Sequence, residues 1–328
     1  MKKAGCNAMR ERGGALLAVL WLSAALTAIA FSVANTVRGE TERVSTAADG
    51  VRAHYLATGA VERALLYMQW QHYSFPNGAP RYYRQGMPRL YFTFPAGDAV
   101  AEITPETSKL SINQASREQL YRLLVMLGAE PDRASVISAA ILDWRMPAEG
   151  ITPFDAYYLS LAPSFRARHA SFEEIEEVLM VQGMTPELFY GTYERTPDGQ
   201  LAPRAGLRDC LSVYGGVTGF DVNTVQPAVM AAMGMSPDLI SAIVSMRQVA
   251  PISHPQLGAI RQSSPAAGHL MIGGGAITTV RATARLRLAD GSYSDIRRSV
   301  SAMVKFIEAG GDKPYHVLRW YESASPLL

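Results

Sequence analysis

The chain has 328 residues, 48% of them hydrophobic and 18% charged, which supplies a sizeable core and, by length, two folded units. Its net charge is +2, yet the first thirteen residues carry +3 (Lys2, Lys3, Arg10 and Arg12 against Glu11), so everything from Gly14 onward sums to −1. That balance excludes a general attraction of the body to polyanions, and two cysteines, Cys6 and Cys210, exclude a disulfide-built scaffold.

No charge falls between Gly13 and Val37, and Ala15 to Ala34 is almost wholly apolar, about 20 residues and enough for one helical membrane span. The basic residues just before it predict a cytoplasmic N-terminus and a body on the outer side. Cys6 then lies across the membrane from Cys210, which is expected to be a buried, inert thiol. Helical periodicity continues past the span: Val44, Ala47, Val51, Tyr55, Thr58, Val61, Leu65 and Met68 recur at three- and four-residue steps. A single helix from Gly14 to Met68 would be about 80 Å long at 1.5 Å per residue, half in lipid and half against a folded body. The rival is a secretory signal cut after Ala28-Ile29-Ala30, but the apolar run passes through that point into the amphipathic stripe, favouring an uncleaved anchor.

An aromatic, Pro- and Gly-punctuated loop follows, from Gln69 to Pro88. Leu90 to Phe94 and Ala99 to Ile103 predict two short strands across Pro95-Ala96-Gly97-Asp98. From about Ile112 to Leu270 the pattern is helical, with capping boxes predicted at Ser116/Gln119 and Ser171/Glu174 and cap-proline starts at Thr185-Pro186 and Ser236-Pro237. Within it, Ile112-Asn113 and Val222-Asn223 each precede a helix, then a Pro-Asp pair, then a second helix ending in Arg145 or Arg247, a weak internal duplication of helical hairpins. Asn113 and Asn223 are expected to satisfy backbone groups where these helices start, and Trp144 to be core. The C-terminal part alternates with period two: Val280, Ala282, Ala284, Leu286 and Leu288, a turn at Asp290-Gly291, then Val300, Ala302, Val304 and Phe306, a hairpin, with one more strand from Tyr315 to Tyr321. A helical block inside a strand series reads as an insertion, so the flanking strands should share one sheet carrying the N-terminal helix.

At this point the residues resemble a known family. Arg12-Gly13 before Gly14-Ala15-Leu16-Leu17-Ala18-Val19-Leu20-Trp21 is similar to the prepilin-peptidase site and membrane helix of minor pseudopilins. Lys109 to Asn113, Ala140 to Trp144, Glu174 to Met184 and Phe220 to Thr224, in that order, resemble the protein K family of large minor pseudopilins in type II secretion. The resemblance implies an α+β, pilin-like fold: a long N-terminal helix on an antiparallel sheet, plus a large inserted all-α domain with two helical-hairpin units. Its parts would be a cleaved leader (1–13), a transmembrane segment (14–37), the periplasmic helix with the first strands (38–111), the insert (112–270) and the C-terminal strands (271–328). It implies cleavage between Gly13 and Gly14 and a non-enzymatic role capping the tip of a periplasmic pseudopilus and helping to initiate it. The protein would be single-pass in the inner membrane, with its body periplasmic. Minor pseudopilins I, J and H, the major pseudopilin, prepilin peptidase, the inner-membrane assembly platform and membrane lipid would be partners, and nucleic acid would not. Pilin-like subunits commonly carry Glu at the fifth mature position; here it is Ala18, a departure characteristic of protein K. A carboxylate in a span costs roughly 2.5–3.5 kcal/mol unless it meets a partner charge.

Contacts to partners are expected from Val51, Tyr55, Val61 and Leu65 on the apolar stripe. Calcium is a candidate through the resemblance, with Asp143, Glu149 and Asp155 as oxygen donors, although a hard cation needs six to eight oxygens and a solvated helix end explains these residues more simply. The six dispersed histidines form no His-Glu-x-x-His site, no Gly-x-Ser-x-Gly elbow occurs, and Gly273-Gly274-Gly275 precedes strand pattern, so it reads as a turn. The alternative function is a membrane-anchored helix-hairpin-helix protein that binds or takes up DNA. The charge of residues 112–270, 11 Arg and no Lys against 16 Asp and Glu, opposes it.

Overall fold

The computed structural model describes residues 7–70, 82–196, 198–307 and 314–322. Most of the loop expected from Gln69 to Pro88 lies outside these. One helix, α1 (Asn7–Trp70), runs through the apolar segment and into the body without a break. It is followed by β1 (Arg89–Phe94) and β2 (Gly97–Pro105). The chain then passes through β3 (Leu110–Ser111), α2 (Arg117–Met126), α3 (Pro131–Arg145), α4 (Pro153–Leu159), α5 (Pro186–Tyr190), β4 (Thr192–Arg195) and β5 (Leu201–Arg204). Next come α6 (Leu207–Cys210), β6 (Leu211–Ser212), β7 (Phe220–Asp221), α7 (Pro227–Ala232), α8 (Pro237–Val249), α9 (His254–Ser263) and β8 (Leu270–Met271). It ends in β9 (Ile277–Arg287), β10 (Tyr293–Phe306) and β11 (Tyr315–Tyr321).

The strands on either side of the helical block meet in one five-stranded sheet, ordered β1-β2-β9-β10-β11 and antiparallel throughout. Register places Ala101 opposite Ala282, and Ala282 opposite Val300, so alanines lie side by side in the middle of the face that meets α1. The helix answers with Ala57, Ala60 and Ala64 beside Val61, Leu65 and Met68, all buried in one cluster with those strands. Alanine on both surfaces lets the backbones approach closely, and the larger side chains fill the remaining gaps; burying a leucine there contributes about 1.5–3 kcal/mol. The insert has a separate core, around Leu120, Ile137, Trp144, Tyr158, Phe189 and Val229. Trp144 is 1% exposed and Cys210 fully buried, its thiol pKa pushed up by that burial.

The insert is helical as expected, and it carries besides three two-stranded pairings, β3-β6 and β7-β8 parallel and β4-β5 antiparallel, of two to four residues a strand. Strands that short leave no periodic signal. At Ser116 the capping box forms, with Gln119 N donating to Oγ at 3.2 Å and Ser116 N to Gln119 Oε1 at 2.9 Å. The box expected at Ser171/Glu174 is displaced. A 3₁₀ turn begins at Ile175, and Glu177 Oε1 takes the N–H groups of Glu173 and Glu174 at 2.8 and 2.9 Å instead. Its longer side chain reaches back over two donors at once.

The duplication appears as one device built twice. Each first helix closes on a glycine at positive φ, Gly128 (83°) or Gly234 (87°), and the next N–H reaches back five residues, Ala129 to Leu124 O at 2.9 Å and Met235 to Met230 O at 3.2 Å. Each second helix carries in its last turn an arginine that donates to two carbonyls at the unit's start: Arg145 to Ile112 and Ala115 at 2.5 and 2.6 Å, and Arg247, two residues before the end of α8, to Val222 and Val225 at 3.4 and 2.7 Å. The asparagines have the expected structural role with different partners. Asn113 clamps the N–H and C=O of Phe172, and Asn223 those of Ile252, segments beyond the second helix.

The two crossings between sheet and insert run side by side. Thr107 Oγ1 accepts from Gly275 N at 3.2 Å, and the Ser108 and Thr224 hydroxyls share a 2.7 Å bond. A Cβ on Gly274 would stand 2.1 Å from Pro105 Cβ, so the expected glycine turn is also a close approach that only glycine allows.

Candidate functional site: the long helix and its outward face

Among the described residues, one helix is long and apolar enough to cross a membrane, and none of its apolar window is buried. Leu16, Leu20, Trp21, Ile29 and Phe31 are all more than half exposed, a surface that water does not tolerate over such a length. Gly14 lies in this helix with nothing within 4 Å of a Cβ position. Downstream, the same helix becomes the central support of the sheet, so anchor and body share one continuous rod.

The four residues expected to face partners separate into two pairs. Val61 and Leu65, 0% and 2% exposed, are corrected: they belong to the protein's own core beneath the sheet. Val51 and Tyr55 stand out at 55% and 70% exposure. The reason is angular. Positions two apart on an α-helix lie about 200° apart, so Val51 and Tyr55 point away from the face that carries Ala53 and Ala57, both fully buried. The outward stripe instead runs Val44, Val51, Tyr55 and Leu66, every one exposed. Sequence reasoning missed the alanine face because alanine gives little hydrophobic signal, and a run of Ala53, Ala57, Ala60 and Ala64 at helical steps was the available clue.

Asp143, Glu149 and Asp155 do not assemble into a cation cage, and among the described residues no cluster of three or more His, Cys, Asp or Glu is placed to hold a metal. The expected solvated helix end is also corrected for Asp155, whose side chain is fully buried. It caps α4 by accepting from Thr152 N at 3.3 Å, and it accepts further from Arg166 Nε at 3.0 Å and Ala167 N at 3.2 Å. His169 closes the network, its Nε2 at 2.9 Å from Asp155 Oδ2 and its Nδ1 at 3.0 Å from the Asp143 carbonyl. Both ring nitrogens face oxygens that only accept, so the geometry favours the imidazolium. Burial works against each charge. The hydrogen bonds outweigh it, holding the Asp155 carboxyl at about 2 and the His169 pKa above its usual value. Asp143 Oδ2 accepts from Thr152 Oγ1 at 3.1 Å, and Glu149 is exposed. Asp143 and Asp155 thus fasten α3, α4 and the following loop. Arg166 and His169, eleven and fourteen residues beyond Asp155, gave no sequence signal of the pairing.

Residues 99–191 match the family model described as type II secretion system protein K. Over 200 residues, 55% of the chain, the sequence is 26% identical to type II secretion system protein K of Klebsiella pneumoniae. Over 199 residues it is 25% identical to the protein of that name from Pectobacterium carotovorum subsp. carotovorum. The family model and both of these relatives carry one description, type II secretion system protein K. The match to the protein K model runs from β2 to the end of α5 and takes in Lys109 to Asn113, Ala140 to Trp144 and Glu174 to Met184, so the family resemblance carried by those segments is borne out. The chain spans 60% of the length of both curated protein K relatives. A solved structure of the GspK-GspI-GspJ complex from the enterotoxigenic Escherichia coli type 2 secretion system is similar at 14% identity and a TM-score of 0.47, covering 88% of this chain and 99% of that one; a likeness at that level assigns no function.

Proposed function

We propose that this chain is a minor pseudopilin of type II secretion, anchored in the inner membrane by α1, with its body in the periplasm. It works by assembly with other pseudopilins. The observation that carries the reading is α1 itself: its apolar, unburied half continues as a rigid rod into the half that forms the core of the sheet. Such a subunit moves out of the membrane as one body when a filament grows beneath it. The protein K family match supports the same reading. Prepilin peptidase would cut between Gly13 and Gly14, and minor pseudopilins I, J and H, the major pseudopilin and the assembly platform would be its partners. Two features favour a place at the tip, where the subunit has neighbours below and none above. Ala18 offers no carboxylate to a neighbour's terminal ammonium, and a helical insert of this bulk would collide with itself if repeated along a narrow filament. Partner contacts would come from Val51 and Tyr55 on the outward stripe of α1.

N-terminal sequencing of the protein from cells that express prepilin peptidase tests the anchor, with Gly14 expected as first residue and Gly13→Glu leaving the longer precursor. A mature start at Phe31 refutes it. Light scattering on the purified protein mixed with minor pseudopilins I and J tests the assembly, where a defined mixed complex is expected and a homopolymer refutes the tip position.

A further inference from the structure

Strand alternation sends Val280 and Ala282 into the core beneath α1, and therefore sends Thr279 and Arg281 to the opposite face of the sheet, toward the insert. There the 3₁₀ turn Glu106–Ser108 and α6 close over them and leave a cleft of about 80 Å³. At about 10–15 Å³ per water-sized occupant, it holds a molecule of roughly five to eight non-hydrogen atoms.

The walls are unusual in what they leave undone. Glu106 is 1% exposed, and its Oε1 accepts from Thr279 Oγ1 at 2.6 Å and from Lys109 Nζ at 3.2 Å. Its Oε2 is buried with no hydrogen-bond partner among the described residues. Arg281 Nε is likewise buried and unpartnered, and burial lowers the pKa of that guanidinium, with Asp209 opposing the shift from a distance. A buried polar atom left without a hydrogen-bonding partner is costly on either side of such a gap. The two groups do not satisfy each other. Glu106 is held at Thr279, one step of two residues from Arg281, about 6.8 Å along a strand. Of the other charges around the cleft, Arg319 pairs with Glu174, Asp209 accepts from Gly206 N at 3.1 Å, and Arg208 lies 5.7 Å over the Tyr321 ring, while Glu176 at the rim makes no hydrogen bond or ion pair among the described residues. Four basic and four acidic side chains line the space, so it favours neither a simple anion nor a simple cation.

We propose that this cleft binds a small zwitterion of the α-amino acid class, its ammonium on Glu106 Oε2 and its carboxylate on Arg281. One molecule then satisfies both orphaned groups, and it bridges the sheet to the segment that leads into the insert. The site is independent of the pseudopilin reading, since none of these residues lies on α1.

The test is titration calorimetry on the full chain in detergent micelles, with glycine and L-alanine as ligands and with acetate and methylammonium as the two halves of the charge pattern. Saturable binding of glycine is expected, with each half-ligand weaker by about tenfold or more, the effect of losing one charge-assisted contact. Glu106→Gln and Arg281→Gln should each weaken glycine by a similar factor, and far-UV circular dichroism checks that they fold. If either variant unfolds, the comparison of glycine with its halves on the unaltered protein decides alone. Absence of saturable glycine and alanine binding overturns the proposal. So does acetate or methylammonium binding as tightly as glycine, or undiminished binding by folded variants.

Discussion

Leu65 and Tyr55 lie on the same helix ten residues apart, and replacing each by alanine should give opposite results. Leu65 is 2% exposed, packed in the cluster that contains Val280, Ala282 and Val300. Its truncation removes transfer free energy and leaves a cavity that the alanine-rich surfaces around it cannot collapse to fill, so the expected loss is about 2–5 kcal/mol. Tyr55 is 70% exposed, and its truncation should shift stability by less than about 0.5 kcal/mol. Urea unfolding of the full chain in micelles, followed by near-UV circular dichroism, reads both, and an unchanged slope confirms that only stability moved. Association with minor pseudopilins I and J should respond the other way, weakened by Tyr55→Ala and unaffected by Leu65→Ala under conditions where that variant is folded. A Leu65→Ala protein as stable as the parent, or a Tyr55→Ala protein losing more than about 1 kcal/mol, would show that the helix presents another face to the sheet.

The Asp155–His169 latch predicts a pH window. Asp155 has a lowered pKa, so its contribution is present above the usual carboxylate value near 4 and lost as pH falls toward about 2. His169 has a raised pKa, so its contribution is complete below about 6.5 and lost as pH rises through the folded value. The stability difference between the parent and Asp155→Asn should therefore peak between about pH 4 and 6.5, at about 1–2 kcal/mol once solvent screening at the half-exposed Arg166 is allowed for. A difference that stays flat from pH 4 to 8 in urea midpoints is the contrary result. Arg145→Lys should cost about 2–4 kcal/mol, because one ammonium cannot replace a planar fork that serves Ile112 and Ala115 together; thermal unfolding of that variant near the parent temperature would deny the arginine its bracing role.

Much of this molecule was legible because its signals are periodic or local. The apolar run to Ala34, the alternation from Val280 to Leu288, the capping box at Ser116 and the Asp290-Gly291 turn each follow from a few neighbouring residues. The insertion was legible too, since strands flanking a helical block have few ways to be satisfied other than pairing, as β2 and β9 do. The duplicated units could be seen in the spacing of Asn113 and Arg145 against Asn223 and Arg247, although not the carbonyls those side chains hold. What the sequence could not decide were choices made by the fold as a whole. Hydrophobicity alone ranked Val51 with Val61, and only the seating of α1 on an alanine-lined sheet buried one and exposed the other. Asp155 read as a surface donor until His169 and Arg166 were brought against it. Glu106 and Arg281, 175 residues apart, became facing walls of one cleft only because the insert folds back over the sheet. The chain dictates its elements through contacts a few residues long, while burial and charge pairing depend on distances that only the closed structure sets.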